Sequence, residues 1–314
     1  MGKQNGLAQK LLVGGYDLSG SVQALDNMHG GPALGDVTTI DQSAHSRLGL
    51  QRDGGGSIAT LMDPQLAHPV LAALPTADEQ VMWMINPLAV GSPVAMSIAK
   101  QIDYDQNRAA NGMLTQKTEF QSNGFGLEWG VALTPGLRTD TGAANGTTLD
   151  QGGGFVTPAV PASNVTATNT SPLPATVVVS GGTVSNVKVN GVSVGTGDGT
   201  YTVPSGATIA ITYSAAPTWT WTLQTAFGAQ AYLQVTQITG TSVTVAVQDS
   251  ADGASWANVT GLSFTAVTAA PNTQRLATAG NATIRRYLRV ITTGTFNPAS
   301  FACAINVNPV ATAF

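Results

Sequence analysis

The chain has 314 residues and a formal net charge of −4, and only 10 % of its residues are charged although 43 % are hydrophobic; a typical soluble domain is about 25 % charged. That deficit implies a surface of Thr, Ser, Asn, Gln and Gly, or one covered by neighbouring subunits. An acidic balance without a basic run excludes an electrostatic nucleic-acid binder, whereas a protein that merely lets DNA pass would carry this sign.

The length leaves room for two or three domains. Thirty-six glycines and 16 prolines, with abundant Thr and Val, predict many short strands joined by turns, so the expected class is all-β. The opening MGKQNGLAQKLLVGG is too short and interrupted in its apolar part to predict a signal peptide, and no apolar run of about 20 residues predicts a membrane span.

In chain order, Leu11 to Gly56 is turn-rich with few periodic runs, which predicts an extended arm or wrapping loops. SIATLM predicts a strand. Asp63 and Pro64 suit an N-cap and first helical position, and Leu66, Ala67, Val70, Leu71 and Leu74 form a stripe at helical spacing. Pro69 interrupts it, so one short helix is expected, beginning at His68 or Pro69 and stopped by Pro75. Asp78 to Asn86 predicts a strand with Val81, Trp83 and Ile85 on one face.

Ala95 to Gln121 reads as one long hairpin. Met96, Ile98, Ile102 and Tyr104 fall on one face and Ser97, Gln101 and Asp103 on the other. Asn111 and Gly112 are expected to supply the positive-φ positions of the reversal, and the return strand is polar, with Thr115, Lys117 and Glu119. A Gly-punctuated strand in SNGFGLEWGVALTPGLRTDT then closes a first domain, 1–142. Residues 156–222 read as an inserted small β module behind a Pro/Ser/Thr linker, with Val187 and Val189 facing Val192 and Val194 across Asn190-Gly191. Residues 143–155 with 223–314 read as a C-terminal jelly roll or β-sandwich of alternating strands. In FACAINV, Phe301, Cys303, Ile305 and Val307 share a face, so Cys303, the single cysteine, is expected in the core.

No catalytic arrangement emerges, so no enzyme and no cofactor or metal is expected. His29, His45 and His68 all lie in the N-terminal part and lack metal-ligand spacing. Gly124, Gly126 and Gly130 give GxGxxxG, which is not the dinucleotide fingerprint. Asp103, Asp105 and Asn107 mimic the start of a calcium loop, but Arg108 and Leu114 stand where that motif needs Gly and Glu. Glu79, Glu119 and Glu128 are the only glutamates, and no glycosidase pair can be picked from spacing. Asn145, Asn164, Asn169, Asn258 and Asn281 match the glycosylation pattern by chance in a Thr-rich chain. Trp219, Trp221 and Trp256 form a candidate sugar-stacking platform, weighed against core packing.

LLVGGYDLSGSVQAL, DVTTIDQSAHSRLGLQRDGG, AHPVLAALPT, KQIDYDQNRAANGMLT, QSNGFGLEWG, AYLQVTQITGTSVTVAVQDSADGASWANV and RRYLRVITTGTF, in that order, resemble the major tail or tail tube proteins of long-tailed actinobacterial phages. The resemblance covers everything outside Val156 to Thr222, and that region resembles the Ig-like decorations of phage structural proteins. It implies a tail-tube-like β-sandwich with one short helix, assembling with itself and other tail proteins into stacked, usually hexameric rings around a DNA conduit in the virion tail, put together in the host cytoplasm. The C-terminal sandwich and the module would then lie outside the tube. If the Ala95 to Gln121 hairpin lines the lumen, Asp103, Asp105 and Glu119 supply negative charge, with Lys100, Arg108 and Lys117 pairing them or bridging subunits. A minor tail, capsid-decorating or carbohydrate-binding adsorption protein is the alternative.

Overall fold

The computed structural model describes residues 8–73 and 77–311. Its strands are, in chain order, β1 (Lys10–Val13), β2 (Val22–Asp36), β3 (Arg47–Leu61), β4 (Glu79–Met84), β5 (Pro93–Arg108), β6 (Leu114–Ser122), β7 (Glu128–Ala132), seven strands between Thr166 and Thr225, then β8 (Ala229–Ser250), β9 (Ala257–Ser263), β10 (Asn272–Ala277) and β11 (Tyr287–Val307), with a few two- and three-residue pieces between them. One short helix, α1 (Ala67–Ala72), interrupts them. The fold is all-β.

The ladder between β8 and β11 runs from the pair Ala229 and Val307 to the pair Ser250 and Tyr287. Alternation along these strands predicts a single buried face, yet Phe301, Ala302, Cys303, Ala304 and Ile305 are all buried. The reason is layering. Leu233, Val235, Phe301, Cys303 and Ile305 face one apolar cluster together with Val245, Leu262 and Leu288. Tyr232, Ala302 and Ala304 point the other way, onto Leu12, Met82, Met84, Val94 and Met96 of the N-terminal strands. The pair β8 and β11 is therefore the middle of three layers, and the small alanines on its N-terminal side let the sheets approach. Burial pushes the Cys303 thiol up to about 12, which keeps it protonated and unreactive at neutral pH.

β7 pairs with β5 on one side and with β11 on the other, so hydrogen bonding passes without a break from the N-terminal strands into the C-terminal ones. The ladder thus crosses the boundary drawn at residue 142 from the sequence. Residues Thr166 to Thr225 form two four-stranded sheets, the second completed by Ile284–Arg285, around their own core of Val177, Val179, Val187, Ile209, Trp219 and Leu223. Val189 pairs with Val192, and Asn190 and Gly191 both take positive φ, at 49° and 79°, the primed hairpin turn that Asn-Gly favours; the register then slips by one residue, so Val187 pairs with Gly195 and not with Val194 as the alternation predicts.

The N-terminal segment differs from its expectation. Residues 22–61 are mostly strand: β2 and β3 pair from Val22 and Thr60 out to Asp36 and Arg47. The arm exists, but as a hairpin whose backbone supplies the regularity that side-chain periodicity does not. The helix begins at Ala67, one residue earlier than expected, and includes Pro69, a first-turn position where the missing N–H has no intrahelical acceptor anyway. Asp63 accepts the N–H groups of Gln65 and Leu66 and so shapes the turn leading in, while the residue at the cap itself is Leu66, without a side-chain bond. Leu74 and Pro75 lie outside the described residues.

Where the chain leaves for residues 156–222, Asp150 accepts two hydrogen bonds from Arg286, at 2.7 and 2.8 Å, and the two-residue strand Leu149–Asp150 pairs with β11. The Arg286 guanidinium, with the N–H groups of Gly152 and Gly154 behind it, holds the Asp150 carboxyl below the ordinary carboxylate range. A carboxyl depressed in the folded state contributes stability above its unfolded pKa, near 4, and loses it as pH falls through the folded value. Thermal melts are accordingly expected to be flat from neutral pH to about 5 and to fall below about 4. Asp150→Asn is expected to melt lower than the parent at neutral pH, with the gap closing in acid; a constant gap would contradict the assignment.

Candidate assembly face

β5 and β6 form the hairpin anticipated for Ala95 to Gln121. The reversal spans Ala109 to Met113: the Gly112 N–H donates to the Ala109 carbonyl at 2.9 Å, and the Ala109 N–H donates to the Met113 carbonyl at 2.8 Å. Only Gly112 takes positive φ, at 87°; Asn111 does not, so the turn closes as a tight turn plus a left-handed glycine rather than with both residues of the pair in that region.

The alternation also slips once. Gln101 pairs with Phe120 and Asp103 with Glu119, leaving Ile102 unmatched in a β-bulge. One extra residue exchanges the faces of everything beyond it. Tyr104 therefore does not share a face with Met96 and Ile98. It joins Ala99 and Gln101 on the side covered by α1, where its hydroxyl meets His68 Nδ1 at 2.6 Å and the Gln101 amide donates to the Leu71 carbonyl at 2.6 Å. Ile102 is 58 % exposed. Nothing in the local sequence marks the bulge.

Because of that slip, Lys100, Asp103, Asp105, Lys117 and Glu119 stand together on the face turned away from α1, and only Arg108 alternates to the other side, opposite Leu114. Asp103 lies directly across from Glu119, and Asp105 across from Lys117. Lys117 bonds Glu119 at 2.6 Å along its own strand, which, with Asp105 and Asp103 nearby, raises its ammonium pKa. Lys100 is engaged by Asp78 at 2.8 Å. The face continues across β3 to Ser57 and to Asp26 of β2, which pairs with it. With one lysine held by Asp78, the strip carries more carboxylate than cation.

The opposite face holds a second feature. A cleft of about 390 Å3 opens between α1 and the sheet, bordered by Val13, Ile58, Leu66, Val70, Val81 and Phe120. Glu79 lines it, and desolvation raises its carboxyl pKa. The helical stripe gave a signal for the apolar wall, but none for its incomplete closure.

The remaining candidates separate in space. His29 bonds the Asn27 carbonyl, His45 contacts Asp36, and His68 contacts Tyr104, so the three sit in three different local structures. Asp103, Asp105 and Asn107 lie along an extended strand, not on a loop curled round an ion. Among the described residues no cluster of His, Cys, Asp and Glu suits a metal, and no helix is long and apolar enough to cross a membrane. Trp219 and Trp221 pack edge to face at 5.5 Å, with Trp219 buried and donating to the Pro158 carbonyl. Trp256 is elsewhere, stacked under Arg289 at 4.2 Å, so the three do not form one platform.

No known family and no curated protein matches the chain in sequence. Among solved structures it is similar to a chain in the tail of an empty gene transfer agent particle refined with C6 symmetry, with 18 % identity over 40 % of this chain and 98 % of that one and a TM-score of 0.29. A chain of the native gene transfer agent virion gives 16 % identity, the same coverages and a TM-score of 0.30. The SPP1 Dit protein, described as a hub of the adsorption apparatus in phages infecting Gram-positive hosts, gives 8 % identity over 96 % of this chain and 100 % of that one, at a TM-score of 0.28. Scores of this size lie below that of a shared fold.

Proposed function

We propose that this chain is a virion structural protein, a tail tube subunit that assembles with copies of itself into stacked rings around a DNA conduit. In this reading residues 1–142 build the tube wall, 143–155 with 223–314 form an outer sandwich, and 156–222 an inserted exterior module. The carrying observation is the pairing of a long incomplete sheet edge with an acidic face. β2 runs for 15 residues and among the described residues bonds only β3, so its outer backbone groups need a further partner. A closed ring of identical subunits supplies one to every copy.

The strip of Asp103, Asp105, Glu119 and Asp26 suits a lumen wall, because like charge keeps a phosphate backbone from adhering during passage. Lys117 and Lys100 temper that repulsion, and Arg108, on the other side, is free to meet a neighbouring subunit.

Negative-stain microscopy of the purified protein is expected to show six-fold rings or tubes; dispersed monomers under every assembly condition would overturn the reading. Asp103→Lys with Asp105→Lys and Glu119→Lys is expected to leave tubes that retain duplex DNA at low salt, at least about tenfold more tightly than the parent, and release it at high salt. Tubes that bind DNA no better than the parent would remove the hairpin from the lumen.

A further inference from the structure

Three strands bring a lysine, a carboxylate and an amide together at the root of the β5–β6 hairpin. Glu79 pairs with Ala99, and Ala99 with Ser122, so Asp78, one residue ahead of β4, stands across from Lys100 on β5. Asn123, one residue past β6, is fixed by its N–H bond to the Ile98 carbonyl at 2.8 Å. Lys100 and Asn123 are therefore diagonal neighbours on one face of the sheet, roughly 7–8 Å apart at the backbone and within reach of a lysine stem.

The Asp78 carboxylate lies between the two side chains. Its Oδ1 accepts from Lys100 Nζ at 2.8 Å and its Oδ2 from Asn123 Nδ2 at 2.9 Å, so the amine and the amide are held against the two oxygens of one group. Lys10 and Lys117 also pair with carboxylates, Asp17 and Glu119, but among the described residues neither of those carboxylates holds a side-chain amide. Lys100 first, and the Asn123 amide with it, hold the Asp78 carboxyl below the ordinary carboxylate range, so it is an ionised proton acceptor at neutral pH. The Lys100 and Asp78 side chains are 46 % and 33 % exposed, which gives solvent access to the ammonium.

We propose that Lys100 and Asn123 join in an intramolecular isopeptide bond that the folded chain makes by itself, with Asp78 as the proton carrier. The ammonium first gives one proton to solvent. The free amine then attacks Asn123 Cγ, Asp78 Oδ1 takes a proton from the attacking nitrogen, and Oδ2 delivers a proton to Nδ2. The Nζ–Cγ bond forms, the Cγ–Nδ2 bond breaks and ammonia leaves, so the step balances without an oxidant or a reductant. Alignment on one carboxylate replaces a bimolecular encounter. The product ties β5 covalently to the end of β6 and turns a cation of the acidic face into a neutral amide. Neither the bond nor its test depends on the tube reading.

The test uses the full-length protein, incubated at a series of pH values and followed by intact mass and by tryptic peptides. The intact mass is expected to fall by one ammonia, at a rate that rises about tenfold per pH unit until the ordinary lysine pKa near 10.4 is reached. Trypsin is then expected to release a branched peptide, uncut after Lys100 and joined to the peptide that carries Asn123. Lys100→Arg keeps the cation beside Asp78 and is expected to melt like the unmodified parent yet give no branched peptide. Asp78→Asn is expected to slow its formation about a hundredfold, and denaturant to abolish it. Asn123 precedes Gly124, which has no side chain to hinder attack by its own N–H, so ammonia loss without a branched peptide would assign the chemistry to a succinimide there and overturn the cross-link. An unchanged mass throughout, or a branched peptide that persists in Lys100→Arg, would overturn it as well.

Discussion

Arg275→Leu is expected to destabilise the protein by about 3–5 kcal/mol, the cost of leaving a buried charge unpaired. The guanidinium Nη2 bonds both carboxylate oxygens of Glu128, at 3.0 and 3.2 Å, and its Nε donates to the Tyr232 hydroxyl at 2.9 Å. Tyr232 in turn donates to Glu128, and the Phe125 ring lies 3.7 Å from the guanidinium carbon. Glu128 is in β7, Tyr232 in β8 and Arg275 in β10, so one triad ties three strands across the layer boundary. Burial first, and the Glu128 charge second, push the Tyr232 hydroxyl far above its ordinary pKa, so it remains a donor at any working pH. The loss should appear as a lower denaturant midpoint with an unchanged slope. Tyr232→Phe is expected to cost about 1–2 kcal/mol, since one hydrogen bond goes but both charges stay matched. Glu128→Leu with Arg275→Leu should recover most of the single-variant loss, because an apolar pair carries no desolvation penalty. An Arg275→Leu protein within about 1 kcal/mol of the parent, the size of a surface pair, would show that water reaches the triad.

Gly130→Ala is expected to cost about 3 kcal/mol, the upper end for overpacking. β7 is threaded between β5 and β11, and a Cβ at Gly130 would lie 2.2 Å from the Ile305 carbonyl oxygen and 2.6 Å from the Met96 methyl. A methionine can swing aside; the Ile305 carbonyl belongs to the ladder of the middle layer and cannot. The strain falls where the N-terminal strands join the C-terminal ones, so the variant is expected to melt in two transitions where the parent melts in one, and to be cut faster by protease near residues 124–142. A single unshifted melt would mean that the junction relaxes without separating the layers.

Much of the fold is legible in the chain because period-2 alternation and turn chemistry are local. The Asn190-Gly191 turn that sets Val189 against Val192, the DSADGASW turn, where Asp252 accepts the N–H groups of Ala254 and Ser255, and the placement of Cys303 all follow from a few neighbouring residues. The β2–β3 hairpin is not legible, since its regularity lies in backbone bonds and its glycines and bulges erase the side-chain period. Five of the six charged residues picked out on the β5–β6 hairpin share a face, but through a bulge at Ile102 that the alternation had not included. Glu128 read as one of three glutamates, because its partners Tyr232 and Arg275 are more than a hundred positions away.

By itself the sequence determined an all-β chain, poor in charge, with a polar return strand and a sequestered thiol, because composition, alternation and turn residues act over a few positions. Only the tertiary structure decided that β8 and β11 are buried on both faces, that Arg275 is matched to Glu128, and that an apolar cleft and an apolar hairpin tip both remain uncovered. Those outcomes depend on which distant strands pair and in what register, and a single bulged residue is enough to exchange which side chains meet water.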